Sequence, residues 1–472
     1  MTAHPPHPAR PPHPGPQDLE DIQGLVYNGW NDHPFAGFVF AKLGDGPAAA
    51  AAARAWLAAI TREVTTAAKH QRAPHGRLQI ALSPSGLAAL GVPDDVVGGF
   101  PQEATQGMHA RARILGDDPQ ESWSLGTSAE RLDVLVMVYA GTAEARAKMV
   151  DHRRAQLAAI GATLRDDELA FPLGLREHFG FADGLSQPFL PGSREPRPRG
   201  EDTLAAGEIL LGYPNEYAAL PHSPRWGDVD LGRNGTYLVF RKLEQHVEKL
   251  WGYLAEQARE VAPDPRDPAL VDATTDYLGA KMMGRWRSGA SLVQAPHADP
   301  GAPGPDDVNN FKYLDADPLG VRCPISSHVR RANPRDARGG DASESHTVVQ
   351  RHRILRRGRS YGPPLDLDDA KAGRGDGVSR GLYFVSLQAS IARGFEFIQQ
   401  TWLSAPGFHG LHEEPDPIMG NAYDRTCPFT IPAEPVRLRL PAVPTVVTVR
   451  GGGYFFLPSL TALARIAHGP EH

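Results

Sequence analysis

Residues Leu132–Ala140 read LDVLVMVYA, an almost unbroken apolar run. Its length suits a strand, and its lack of alternation predicts that both faces are covered. Downstream, the charged and amphipathic Thr142–Ile160 reads as a helix. Upstream, Arg77–Ser83 places Leu78, Ile80 and Leu82 on one face of a second strand. Before it, Ala48–Val64 is an alanine-rich helix opened after Pro47, with Trp56, Leu57 and Ile60 as apolar contacts, and Phe35–Ala41 is a short strand. The same order then returns. Gly235–Arg241 (GTYLVFR) is a strand, Leu243–Glu260 a helix, Arg353–Arg357 and Gly381–Leu387 (GLYFVSL) strands, Ser390–Leu403 a helix and Pro444–Arg450 (PTVVTVR) a strand. Strand–helix–strand–strand–helix–strand, twice, predicts an α+β fold of two tandem ferredoxin-like halves with antiparallel sheets. Each half puts its helices on one sheet face, leaving the other faces to meet. The expected divisions are a Pro/His-rich disordered tail over 1–17, an N-terminal half over 18–230 and a C-terminal half over 231–468.

The bulk numbers exclude several classes. Hydrophobic residues at 41% and charged residues at 22% are ordinary for a globular protein. A formal charge of −6 gives no electrostatic reason to expect nucleic acid. No apolar run is long enough to span a bilayer, and the stretch Met1–Pro16 has neither an apolar core nor paired arginines for export. Two distant cysteines, Cys323 and Cys427, make no disulfide framework, so a cytoplasmic protein is expected, open to homo-oligomerisation. Long Pro/Gly/Asp-rich loops, such as Pro191–Thr203 and Ala295–Asp307, point to elaborations around a buried ligand.

Two motif matches fail on context. Gly377–Gly381 (GVSRG) fits the nucleophile-elbow pattern, yet a loop precedes it and a strand follows. Gly373–Gly377 is glycine-rich without opening a helix, so it is no dinucleotide fingerprint. His328 is different, because Arg330, Arg331, Asn333 and Arg335 crowd around it in sequence. A lone histidine is more often a surface or core residue than a ligand. Flanking guanidiniums favour a haem, whose propionates they would neutralise bidentately.

Six segments, in order, carry a resemblance. They are Asp21–Gly24 (DIQG), Phe179–Pro188 (FGFADGLSQP), His328–Arg335 (HVRRANPR), His352–Gly358 (HRILRRG) followed by Tyr361 and Gly362, Glu396–Trp402 (EFIQQTW) and Gly451–Pro458 (GGGYFFLP). With them the chain, from about residue 18 to 466, resembles the dye-decolorising peroxidase family.

That resemblance implies two ferredoxin-like halves with haem b, iron protoporphyrin IX, held mainly in the second. It implies His328 as the iron ligand, with Arg330 and Arg331 beside the cofactor. Asp183 takes the place of the distal carboxylate and Arg356 that of the distal arginine. The adjacent Arg357 permits a slip of one, but Arg356 stands six residues before Gly362, as the family's arginine does before its glycine. Leu382 and Phe384 correspond to pocket-lining residues, and their i, i+2 spacing puts them on one strand face. Glu396 is the candidate acid behind His328. The implied activity is oxidation of dyes, phenolics or other organic reductants by hydrogen peroxide, with a haem-handling protein of the deferrochelatase kind as the alternative. Bulky donors would deliver electrons through surface aromatics, with Trp226, Trp251, Trp286 and Tyr361 as candidates.

Overall fold

The computed structural model describes residues 13–68, 76–117, 120–166, 168–193, 197, 199–200, 203–338, 341–420 and 427–469. Most of the Pro/His-rich tail expected over 1–17 lies outside those residues.

In the first half, β1 (Phe35–Lys42), α1 (Pro47–Thr61), β2 (Arg77–Leu82), β3 (Val134–Ala140), α2 (Ala143–Ala159) and the short β4 (Thr163–Leu164) and β5 (Glu168–Leu169) follow in turn. The second half brings β6 (Thr236–Gln245), α3 (Val247–Val261), α4 (Pro268–Met283), α5 (His328–Ala332), β7 (Leu355–Arg356), β8 (Arg359–Tyr361), β9 (Gly381–Gln388) and β10 (Val447–Leu457). The strands form one ten-stranded sheet in the order β8-β9-β6-β10-β2-β3-β1-β4, with β5 on β1 and β7 on β9. All the pairings are antiparallel. Each half therefore has the ferredoxin-like order, and the halves join edge to edge where Phe456 of β10 pairs with Leu82 of β2.

Strand periodicity then decides which side of the sheet each residue serves. Val39 and Ala41, Val136 and Val138, and Val239 and Leu243 face the helices, where Trp56, Leu57, Leu250 and Leu254 cover them. Their neighbours Phe38, Phe40, Met137, Phe240, Tyr383 and Phe455 face inward, so the two halves bury their open faces against each other. Phe38 meets Phe240 at 5.1 Å and Tyr383 at 5.3 Å between ring centres, and Phe40 meets Phe240 at 5.0 Å. Edge-to-face rings of this kind add about 0.5–1.5 kcal/mol per pair beyond the area they bury.

Three element boundaries differ from the sequence expectation. β6 runs through Gln245, and α3 starts at Val247 rather than Leu243, because Leu243 is paired on both sides, with Leu382 and Val449. β10 continues past Arg450 through the glycine triplet to Leu457. A register shift lies between Val449 and Gly452, and a side chain at Gly451, at φ +108°, would collide with the Leu125 carbonyl. The predicted helix Ser390–Leu403 is present but π-wound, as Ala392–Glu396 and Ile398–Ser404. No helix among the described residues is long and apolar enough to cross a membrane, and neither cysteine is in a disulfide.

Candidate active site

On the helix-covered side of the second half lies a cavity of about 250 Å³. Its apolar wall comes from Leu382 and Phe384 of β9, Leu243 of β6, Val447 of β10, and Phe395, Ile398 and Leu403 of the π-wound segment. Its polar lining includes His328, Asp183 and Arg356.

His328 opens α5, which is anchored by Ser327, whose hydroxyl donates to the Lys281 carbonyl at the end of α4 (2.6 Å). The Nδ1–H of His328 donates to Asp416, at 3.1 Å to Oδ1 and 3.0 Å to Oδ2. A carboxylate can only accept, so a proton is on Nδ1, which in the neutral ring leaves the lone pair on Nε2. Nε2 has no partner among the described residues, and His328 lines the cavity. Asp416 is fully buried and also accepts the Ile418 and Met419 amides at 2.9 and 2.6 Å. Burial pushes its carboxyl up, but the attraction of His328 and Arg331 outweighs that, and the net shift is downward.

Across the cavity, Arg356 Nη1 stands 3.9 Å from Asp183 Oδ1, and the two side chains are 38% and 39% exposed, so both are reachable from the cavity. Arg356 is steadied by Nη2 donating to the Leu185 carbonyl (2.6 Å) and by its amide donating to Gln187 (3.0 Å). Adjacent strand residues face opposite ways. Arg357 accordingly turns to the sheet interior, where it donates to the Leu25 and Val26 carbonyls and burial lowers its pKa to about 10. Leu382 and Phe384 both line the cavity.

Three sequence expectations are corrected. Glu396 is not the acid behind His328. It is held by Arg111, through two 2.6 Å hydrogen bonds, and by the Tyr454 hydroxyl at 2.8 Å. Nor do Arg330 and Arg331 face the cavity. Arg330 spends its donors on Asp317 and the Cys323 carbonyl. Arg331 donates to the carbonyls of Trp402, Leu403, Ala405 and Glu414. Both guanidiniums brace the loops around the histidine, and Arg331 fixes the chain just before Asp416. Finally, Trp226, Trp251, Trp286 and Tyr361 are each at most 8% exposed, so none is a surface entry point.

Residues assigned no individual role from the sequence complete the site. Arg285 and Arg353 line the cavity, as does Arg241, which is paired with Asp117 and donates to Gln399 (3.3 Å). Buried Oδ1 of Asn333 and Oε1 of Gln245, both on cavity-lining residues, have no hydrogen-bond partner. Such a cavity, apolar in its walls, rich in arginine and with the bare Nε2 of His328 backed by a carboxylate, suits a flat anionic macrocycle that needs a nitrogen ligand.

No family model matches the chain. Individual proteins do. The dye-decolorizing peroxidase of Auricularia auricula-judae is 29% identical over 470 residues, covering 94% of this chain and 86% of that protein. Peroxidase 2 of Mycetinis scorodonius is 30% identical over 486 residues, covering 94% and 87%. A multifunctional dye peroxidase of Amycolatopsis is 30% identical over 407 residues, covering 82% and 81%. Among solved structures, an ancestral D-type dye-decolorizing peroxidase superposes with a TM-score of 0.80 at 29% identity, covering 96% of this chain and 99% of that one. A dye-decolorizing peroxidase engineered in its heme pocket gives 0.80 at 28%, covering 95% and 99%. Similarity of this extent, over 94% of the chain at 30% identity, places the chain in the dye-decolorising peroxidase family.

Proposed function

We propose that the cavity binds haem b through His328 Nε2 and that Asp183 and Arg356 act there on hydrogen peroxide. The observation that carries this reading is the arrangement of the cavity walls: a bare imidazole nitrogen backed by Asp416, and an acid–arginine pair reachable from the same cavity. Arg353 and Asn333, rather than Arg330 and Arg331, would hold the propionates, because they line the cavity. When bound, the haem supplies a redox-active iron. Residues 18–230 and 231–468 act as the two halves of the protein, and two cysteines outside any disulfide suit the cytoplasm.

The chain's own groups divide the remaining work. Asp416 accepts from His328 Nδ1, which fixes the ring's orientation and makes Nε2 a stronger donor. Asp183 takes a proton from one peroxide oxygen and returns it to the oxygen that leaves, which is the two-way transfer a positioned carboxylate can perform. Arg356 presents a fixed positive charge to the negative charge that grows as the O–O bond breaks. Leu382, Phe384 and Phe395 keep water from that region. Phenols, dyes and other organic reductants then supply the electrons.

The direct test is an absorption spectrum of the purified protein before and after one equivalent of peroxide, followed by addition of a phenol. A ferric Soret band that changes with peroxide and returns as the phenol is oxidised is expected. Release of iron or loss of the band without phenol oxidation would instead identify a haem-handling protein. Asp416→Asn keeps a hydrogen-bond acceptor but removes its charge. It is expected to raise the haem reduction potential and lower activity by about 10–100-fold, the usual scale for partners of a metal-bound histidine. Spectroelectrochemical titration beside steady-state assays checks this.

A further inference from the structure

The loop that delivers Asp183 is a tight turn. The Glu177 amide donates to the Phe181 carbonyl (3.1 Å), the Gly180 amide donates to the Glu177 carbonyl (2.8 Å), and Arg176 bridges Ala182. Gly180, at φ +88°, supplies the left-handed corner. Phe181 stacks on Trp251 at 6.0 Å, and the Trp251 indole N–H donates to the Phe179 carbonyl (3.1 Å). At the centre of the turn is the side chain of Glu177. Its Oε1 accepts the Phe181 amide (2.9 Å), and its Oε2 accepts the Phe179 amide (2.9 Å) and the side-chain N–H of Gln245 from the end of β6 (2.6 Å).

Three donors converge on two oxygens. Each of those contacts is made by a donor, an arrangement that favours the carboxylate form of Glu177. Holding a charge there is costly. Burial pushes Glu177 up to about 7, against the pull of Gln245 and the two amides. Asp183, by contrast, has few anchors of its own. Its Oδ1 accepts the Gly184 amide (2.6 Å), and Arg356 is 3.9 Å away. The place of the Asp183 carboxyl is therefore set by the backbone before it, where the Ala182 amide donates to Arg287 and the Asp183 amide to Leu175. That backbone leaves a turn whose inward amides end on Glu177.

We propose that Glu177 is a positioning residue for the peroxidase reaction: its carboxylate ties the turn 177–181 to β6 through Gln245 and so fixes Asp183 at the cavity. The inference rests on the reading of Asp183 as the acid–base group. Glu177 lines the cavity but its oxygens are taken up by the turn amides and Gln245, so misplacement of Asp183 rather than loss of a reacting group is the expected consequence of changing it.

Glu177→Gln keeps the size of the side chain but turns one acceptor into a donor facing donors. Amide hydrogen exchange at Phe179 and Phe181, measured with and without haem, is expected to rise about 10-fold or more, while β3 amides stay protected. Haem content and the ferric spectrum should not change. The kcat/KM for peroxide and the rate of cyanide binding to the ferric enzyme should both fall about 10–100-fold, as a displacement near 1 Å can cause, with KM for the phenol unmoved. Gln245→Leu, which removes one donor only, should shift the same readouts less, and it serves if Glu177→Gln does not fold. Asp183→Asn is measured alongside. If Asp183→Asn is slow but both other variants match wild type in exchange and in peroxide and cyanide kinetics, the role of Glu177 is overturned and that of Asp183 stands. If Asp183→Asn itself matches wild type, the reading of Asp183 falls and takes this inference with it.

Discussion

His328→Ala is expected to purify with less than about a tenth of the haem of the wild-type protein and without its Soret band, because second-sphere groups alone already change metal affinity by about 10–100-fold and here the ligand itself is removed. The rest of the fold should persist. His328 contributes no packing to the aromatic interior, and its one polar partner is Asp416. Removing the imidazole leaves Asp416 with the Ile418 and Met419 amides still donating to it, so its burial remains partly compensated. Far-ultraviolet circular dichroism should thus match wild type while haem content, measured by pyridine haemochrome, collapses. Normal haem content and activity in this variant would remove the ligand assignment. Added imidazole restoring a Soret band would support it further, since the space vacated by the ring opens onto the cavity.

The second large effect is expected at the opposite wall. Asp183→Asn preserves shape and the Gly184 hydrogen bond but cannot accept a proton at neutral pH. Losing a positioned acid–base group typically costs about 10²–10⁴-fold. Stopped-flow mixing with peroxide should show the loss in the first, peroxide-dependent phase, with haem content intact. Arg356→Leu removes a preorganised charge and should slow the same phase by about 10²–10³-fold. The two losses need not multiply, because residues that serve one transition state are rarely additive. A variant lacking both that reacts only as slowly as the worse single variant would show them acting as one unit.

How far the sequence carried the assignment follows from the distances over which each feature is encoded. Strand periodicity is local, so the duplicated sheet order and the shared face of Leu382 and Phe384 were legible. The same parity rule separates Arg356 from Arg357 once β7 is known to be a strand. What failed was inference from nearness in sequence. On α5, a residue two positions after His328 points to the opposite side of the helix, which is where Arg330 finds Asp317. Arg331 lies nearer in angle, but four backbone carbonyls absorb its donors. Asp416, the true partner of His328, is 88 residues away between Pro415 and Pro417, where it reads as an ordinary loop acid. The turn donors to Glu177 were equally invisible, since two of the three are backbone amides.

The meeting of the two inner sheet faces has one more effect. The rings of Phe38, Phe40, Phe240 and Tyr383 lock the halves together on the side of the sheet away from His328. Assembly of the polypeptide and acquisition of its cofactor are thereby uncoupled in space. The aromatic rings of the seam do not line the cavity around His328, so the cavity is not needed to close the seam.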